Sequence, residues 1–482
     1  MTTHAQPTDR RRWLALAVLC AGMLMIILDG SIVTVALPAI QQDLAFTPAN
    51  LTWTVNAYLI AFGGLLLLAG RLGDLIGRRR MFVAGLAVFT AASLLCGVAG
   101  SQELLIGARF LQGVGGAMAS AVSLGMIVTL FPEPAERGKA FGAVSFVGAA
   151  GASVGQVLGG VLTEAVSWHW IFFINLPIGL LAVVMALRVL ESDRGLGLAS
   201  GVDLLGTALV TAGLMLGVYA IVGTGEHGWG SARTLGLGLL AALLLTGFLL
   251  RQRRAATPLL PLRMFRSRNV SGANLVQVLM VSALFGFQVL MALYLQNVLG
   301  YGAAATGLAM LPAALTIGTV SLLLSARLNA RFGERNVLLA GLVLLIGALG
   351  LLTRLPVEAS YAVHLLPTMI LAGGFGLAIS ALTSLGMSGA GPTDAGVASG
   401  LFNTTQQVGG ALGVAVLSTL AGSRAESLLA DGQAGPAALT GGFQLAFGVG
   451  AGLLVVALVL TATVLRPAPA ATESNTAAPV LV

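Results

Sequence analysis

The sequence predicts an all-α polytopic membrane protein of fourteen spanning helices, and three observations carry that expectation. Its 482 residues are 57% hydrophobic and 9% charged, with a mean hydropathy of +0.95, far from the roughly 25% charged residues of a soluble domain. Apolar runs recur at about 20 residues, the length a spanning helix needs, and not as the ten-residue alternation of barrel strands. Two stretches also repeat along the chain at nearly one offset, which divides it into homologous halves. The 65 glycines against five tyrosines and five tryptophans suit close-packed helices better than a barrel with aromatic girdles.

Taken in order, the runs lie approximately at 13–39, 51–70, 81–99, 103–130, 140–162, 168–190, 203–223, 233–250, 269–297, 305–326, 337–353, 362–386, 397–421 and 441–465, each near spanning length. The first follows Arg10-Arg11-Arg12, as the core of a secretory signal would. It continues for about 25 residues toward Pro38 without a small-residue cleavage site, so it is expected to remain as the first helix. Its one formal charge is Asp29. A charge at that depth costs roughly 2.5–3.5 kcal/mol on insertion scales, so it marks a functional position. The second and third runs flank a basic loop, Gly70 to Arg80, and the fourth holds Arg109. The fifth carries Gly148, Gly151, Gly155 and Gly159 on one helix face, a small-residue stripe that lets a neighbour approach closely.

The later runs repeat the earlier ones. Arg71, Leu72, Gly77 and Arg79 recur 256 residues on as Arg327, Leu328, Gly333 and Arg335, and Gly142, Ser145, Gly155 and Gly159 recur 254 residues on as Gly396, Ser399, Gly409 and Gly413. The chain therefore divides into an N-terminal tail (1–12), a six-helix half (13–190), an inserted helix pair with its flanking loops (191–268), a second six-helix half (269–465) and a tail (466–482). The last is Ala-, Pro- and Thr-rich and is expected to be disordered. Parallel six-helix halves with a substrate site between them are a transporter architecture.

Charge excludes other classes. The formal charge of +7 would suggest nucleic acid in a soluble protein. Here 21 of the 25 basic residues fall in alternate loops and the tails, and only Arg233, Arg354 and Arg424 fall in the others, so the positive-inside rule places both termini in the cytoplasm and no nucleic-acid partner is expected. Cys20 and Cys96 lie within apolar runs and imply no disulfide framework. His4, His169, His227 and His364 show no metal-ligand spacing, and no phosphate-binding loop is present. No enzyme chemistry, metal, cofactor or ATP drive is therefore expected.

Several stretches resemble the major facilitator superfamily, and specifically its fourteen-helix drug:proton antiporter branch. Leu28 to Pro38 is similar to the first-helix motif of that branch, Gly70 to Arg80 to the superfamily's loop between helices two and three, and Leu105 to Ala117, with Arg109, Gln112 and Gly113, to its helix-four motif. Trp168 to Gly179 is similar to a further signature of the branch. Two departures stand out. The helix-five motif reads Gly155-Gln156-Val157-Leu158-Gly159-Gly160 where the resemblance implies a proline at 156, and Gln406 stands where relatives commonly carry arginine. The resemblance implies a major facilitator fold with alternating access, exchange of a drug for protons, and a cytoplasmic latch formed by Gly73, Asp74, Gly77, Arg78 and Arg79.

The residues themselves give the site candidates. Asp29 is the one acid deep within a run; burial disfavours its charged form, so a modest change of surroundings can reverse its protonation. Arg109 is its natural partner: at 1.5 Å per residue, Asp29 lies about 24 Å along helix one and Arg109 about 9 Å down helix four from the other side, which are similar depths. The pair is the candidate for proton coupling. Gly151, Gly155, Gln156, Gly159 and Gly160 are the helix-five candidates for a sliding contact. Cavity candidates are Asn56, Tyr58, Phe146, Asn274, Gln277, Phe285, Gln288, Phe402, Asn403, Gln406 and Gln407. The expected protein is a monomer in the inner membrane of a bacterium, with the proton as coupling ion, membrane lipid around it and a small lipophilic substrate. A dedicated exporter or symporter of one metabolite, lipid or peptide is the alternative on the same fold. A sensor or scaffold would need a soluble domain, for which the loops are too short.

Overall fold

A computed structural model describes residues 9–131, 133–191, 203–255, 262–387 and 395–466, with positions 193, 195, 197, 258 and 259 between them. The expected disordered tail lies outside these residues beyond Arg466, as does most of the 192–202 loop. Among the described residues the chain is helical, without strands. Among these residues thirteen helices are long and apolar enough to cross a membrane, and fourteen when the two arms of one bent helix, which meet at 51°, count as a single span.

The spans are α1 (Asp9–Asp43), α2 (Trp53–Ile76, the bent one), α3 (Arg78–Gly97), α4 (Gln102–Leu130) and α5 (Pro134–Ala165). They continue with α6 (Trp170–Val189), α7 (Leu204–Val222), α8 (Ala232–Arg254), α9 (Arg268–Asn297), α10 (Ala303–Phe332) and α11 (Glu334–Leu352). The last three are α12 (Tyr361–Gly386), α13 (Ala395–Ala430) and α14 (Gly435–Thr463). Several extend past their apolar runs, because helical hydrogen bonding continues into polar residues wherever a cap or partner holds the end. Ser101, Ser231 and Ser267 cap α4, α8 and α9 by accepting from the backbone N–H of Leu104, Thr234 and Val270, which satisfies a donor that the helix itself leaves open.

The repeated glycines have a structural reason. Gly77 separates α2 from α3 at φ +105°, and Gly333 separates α10 from α11 at φ +79°. A side chain is strained in that left-handed region, so glycine is used at both corners.

Buried apolar residues form two main cores. One gathers α1 to α6 with Val218 and Val222 of α7, Val289 of α9 and Ala411, Val414 and Ala415 of α13, and the other gathers α9 to α14. Helix α5 lies in the groove of α1: a Cβ added to Gly155 would come within 2.9 Å of the Leu28 carbonyl oxygen, and one on Gly159 within 2.6 Å of that of Ile32. In the second half α13 stands to α9 in the same way, with Gly409 against the Val278 carbonyl at 2.8 Å and Gly413 against that of Ser282. Backbone carbonyls cannot rotate away, so Gly159→Ala is expected to destabilise by about 1–3 kcal/mol through overpacking. Gly30, with nothing within 4 Å of its Cβ position, is the control: Gly30→Ala is expected to leave stability unchanged or raise it by up to about 1 kcal/mol. Thermal unfolding of the two variants in detergent measures the difference.

The inserted pair α7 and α8 is clipped at one end by Asp203. This buried carboxylate accepts from the Gly206 N–H at 2.9 Å, Gln252 Nε2 at 2.8 Å and Arg251 Nε at 3.1 Å. Burial pushes its pKa up, but those hydrogen bonds and the guanidinium charge together outweigh burial and hold it below the usual carboxylate value. The clip therefore contributes fully above roughly pH 4, the unfolded value, and its contribution fades as pH falls through the lower folded value. Asp203→Asn is expected to unfold at lower temperature than the wild type at pH 7, and the gap to close below pH 4.

Candidate functional site

Four helices converge on Asp29. Its carboxylate is fully buried, and Arg109 of α4, 1% exposed, donates from a terminal nitrogen to Oδ2 at 2.5 Å. Gln112, one helical turn after Arg109, donates to Oδ1 at 2.9 Å, and Asn175 of α6 donates to the same oxygen at 3.0 Å. The guanidinium is held in turn by the Thr54 carbonyl at 2.8 Å and the Gln112 side-chain oxygen at 2.7 Å, and it lies over the Tyr58 ring at 4.5 Å. Ser93 of α3 accepts from Gln112 at 2.8 Å. An uncompensated buried charge would cost several kcal/mol, and this geometry offsets that cost with an ion pair and hydrogen bonds on both carboxylate oxygens.

The cluster belongs to one half only. The matched glycine contacts, Gly155 on Leu28 and Gly409 on Val278, put Leu279 of α9 in the place that Asp29 occupies on α1. The two halves thus share a packing scheme and differ in charge at its centre.

The cavity candidates separate by environment. Asn56 of α2 and Gln277 of α9 are fully buried, and neither end of either amide has a hydrogen-bond partner. The same holds for the side-chain oxygen of Gln156, whose backbone carbonyl lies against Gly307 of α10. Phe285 sits where α9 meets Gly410 of α13, near Leu59 of α2. Gln288, Asn403, Gln406 and Gln407 are half-buried, and the Gln407 Cβ packs at the Gly63 position of α2. Asn274 bonds instead to the Val270 carbonyl at 2.8 Å and to Thr405 of α13 at 2.9 Å, so it ties α9 to α13. Phe402 lies in the second core, Tyr58 in the Asp29 cluster, and Phe146 is 63% exposed.

The halves also meet toward the end away from the basic loops. There Gln296 of α9 donates to the Val35 carbonyl of α1 at 2.9 Å, Glu164 of α5 accepts from the Ala304 N–H of α10 at 3.0 Å, and Gly160 packs on Ala303. At the arginine-rich end Asp74 accepts from Arg78 at 3.1 Å, with both side chains partly exposed. Asp193, just beyond α6, takes the backbone N–H of Arg78 at 2.7 Å and of Arg79 at 3.2 Å, and the Arg79 guanidinium donates to the Leu187 carbonyl. Gly73 packs its backbone on Val122, and Gly77 lies against Asp193. These contacts of Asp74, Arg78 and Arg79 are made with the first half and, through Asp193, with the loop that follows it.

The family model described as Major Facilitator Superfamily matches residues 19–414. The chain belongs to the Major Facilitator Superfamily. It is 41% identical over 460 residues to the puromycin resistance protein pur8 of Streptomyces alboniger, covering 95% of this chain and 91% of that protein. It is also 41% identical over 416 residues to the cephamycin export protein CmcT of Amycolatopsis lactamdurans, covering 85% of each. Among solved structures, the bacterial homolog of the human lysosomal transporter Spinster, in an inward-facing and unoccupied conformation, has a TM-score of 0.66 at 15% identity and covers 94% of this chain and 97% of that one. That likeness speaks for the fold.

In this transporter of the superfamily, sequence reasoning placed Asp29 and Arg109 at matching depth but did not select Gln112, Asn175, Ser93 or the Thr54 carbonyl as their partners. A signal for two of them was present. Gln112 lies three residues after Arg109, hence on the same face, and Asn175 is the one amide in the Trp168–Gly179 stretch. Asp193 carried no such signal, because its role is set by where the chain after α6 returns.

Proposed function

We propose that this membrane transporter exports a lipophilic, antibiotic-like compound in exchange for protons, by alternating access across the inner membrane of a bacterium, with both termini in the cytoplasm. The observation that carries this reading is the Asp29 cluster: one carboxylate, sealed from solvent, with its counter-ion one hydrogen bond away. Protonation of Asp29 cancels its charge and frees Arg109 to seek other acceptors, so proton arrival and helix rearrangement become one event. One elementary charge moving through 100 mV supplies about 2.3 kcal/mol. At 1.4 kcal/mol per factor of ten, that drives roughly fifty-fold accumulation before a pH gradient is counted.

The unpartnered amides of Asn56 and Gln277 and the apolar surface at Phe285 support a substrate that is mostly apolar and offers a few polar groups. A narrower reading on the same fold, a dedicated exporter of one compound, is favoured by the two relatives named above for puromycin and for cephamycin. Expression in a pump-deficient bacterium, with susceptibility and efflux measured across chemically diverse antibiotics, tests both. Resistance to several unrelated lipophilic compounds supports the broad reading, and resistance to one supports the dedicated exporter. Uptake into inside-out vesicles that is insensitive to collapse of the proton gradient overturns antiport.

A further inference from the structure

We propose that the cavity between the ends of α2, α7 and α8 away from the basic loops is a binding site for the phosphodiester of a phospholipid headgroup. The cavity holds about 140 Å³ and is lined by Asn50, Trp53, Tyr219, His227, Arg233 and Thr234 among others. Sites for drug-sized ligands run from about 300 to 1,000 Å³, so this one suits a group the size of a phosphate and not an exported antibiotic.

Its chemistry is cationic. Arg233 donates to the Tyr219 hydroxyl at 2.7 Å and to His227 Nε2 at 2.9 Å. A guanidinium only donates, so Nε2 faces it as the acceptor, while Nδ1 faces the Gly223 carbonyl at 3.2 Å. These contacts fix the plane of the guanidinium fork while leaving further N–H donors for a ligand, and no ion pair joins Arg233 to a carboxylate among the described residues. A preorganised arginine without an acidic partner matches the oxygens of a phosphate.

The surroundings select a lipid as the source. Trp53 and Tyr219, with rings 6.0 Å apart, are the aromatic types that sit at the membrane–water interface. Leu237 and Leu240 follow Arg233 by four and seven residues, on the same face of α8, and Leu240 is 47% exposed, so an apolar path leads from the cationic site toward the acyl region. With no described carboxylate lining the cavity to take a headgroup amine, an anionic phospholipid is preferred over a zwitterionic one.

The test is native mass spectrometry of the purified full-length protein in detergent, titrated with phosphatidylglycerol and, separately, with diacylglycerol of the same acyl chains. Phosphatidylglycerol is expected to be retained and diacylglycerol not. Arg233→Gln is expected to weaken retention about tenfold, which corresponds to about 1.4 kcal/mol, and Tyr219→Phe, which keeps the ring but frees the guanidinium, by a smaller factor. Each variant is first shown to be monodisperse with a wild-type unfolding temperature. Equal retention by the wild type and both variants overturns the site. Displacement of the lipid by millimolar inorganic phosphate assigns the cavity to a soluble phosphate and overturns the lipid source.

Discussion

Arg109→Ala is expected to lower stability by about 3–5 kcal/mol, the range for removing one partner of a buried ion pair. The physical reason is the carboxylate left behind. Asp29 would keep Gln112 and Asn175 as donors but lose the guanidinium that pairs its charge, in a place with no solvent contact. Thr54 and Gln112 would each also lose one donor to their oxygens, Gln112 keeping the weaker Cys96 thiol at 3.4 Å. The double variant Asp29→Asn/Arg109→Gln removes both charges and is expected to unfold at a higher temperature than Arg109→Ala. Single and double variants that lose stability additively would show that the pair is not energetically coupled.

Asp29→Asn is expected to cut active export by at least about tenfold, equivalent to 1.4 kcal/mol or more of lost driving free energy. Asparagine occupies the same volume and can still accept from Arg109, but it cannot take up and release a proton. The distinguishing measurement compares two assays on reconstituted protein. Exchange of labelled for unlabelled substrate with no gradient needs alternating access alone, and Asp29→Asn is expected to retain it. Accumulation against a substrate gradient needs coupling and is expected to be lost, with Asp29→Glu, which restores a carboxylate one methylene longer, recovering part of it. Accumulation by Asp29→Asn at the wild-type level would remove Asp29 from the coupling step.

The relation between the halves gives these variants their meaning. Both halves use the same glycine contacts, α5 on α1 and α13 on α9, yet Leu279 stands where the first half has Asp29. Under the proposed coupling, shared packing with unequal charge makes the first half the carrier of the ionisable switch and leaves the other to respond to it. The contacts at Glu164 and Gln296 join the halves at one end, where such a response would have to break or remake them.

The chain's membrane character, the number and order of its spans and the recurrence of glycine at 77 and 333 were fixed by local sequence. A run of about 20 apolar residues has one stable outcome in a bilayer, a hydrogen-bonded helix, and a sharp corner between helices needs a left-handed residue whatever surrounds it. Depth was equally local, because 1.5 Å per residue converts position into distance. Facing was not. That Asn175 and Gln112 turn toward Asp29, that Asn274 bonds to α13, and that Phe402 fills a core depends on how each helix is rotated against its neighbours. Rotation is set by packing contacts among residues far apart in the chain, such as Gly155 on Leu28 and Gly409 on Val278. The sequence by itself placed an expensive charge at Asp29, and only the tertiary structure decided which groups compensate it.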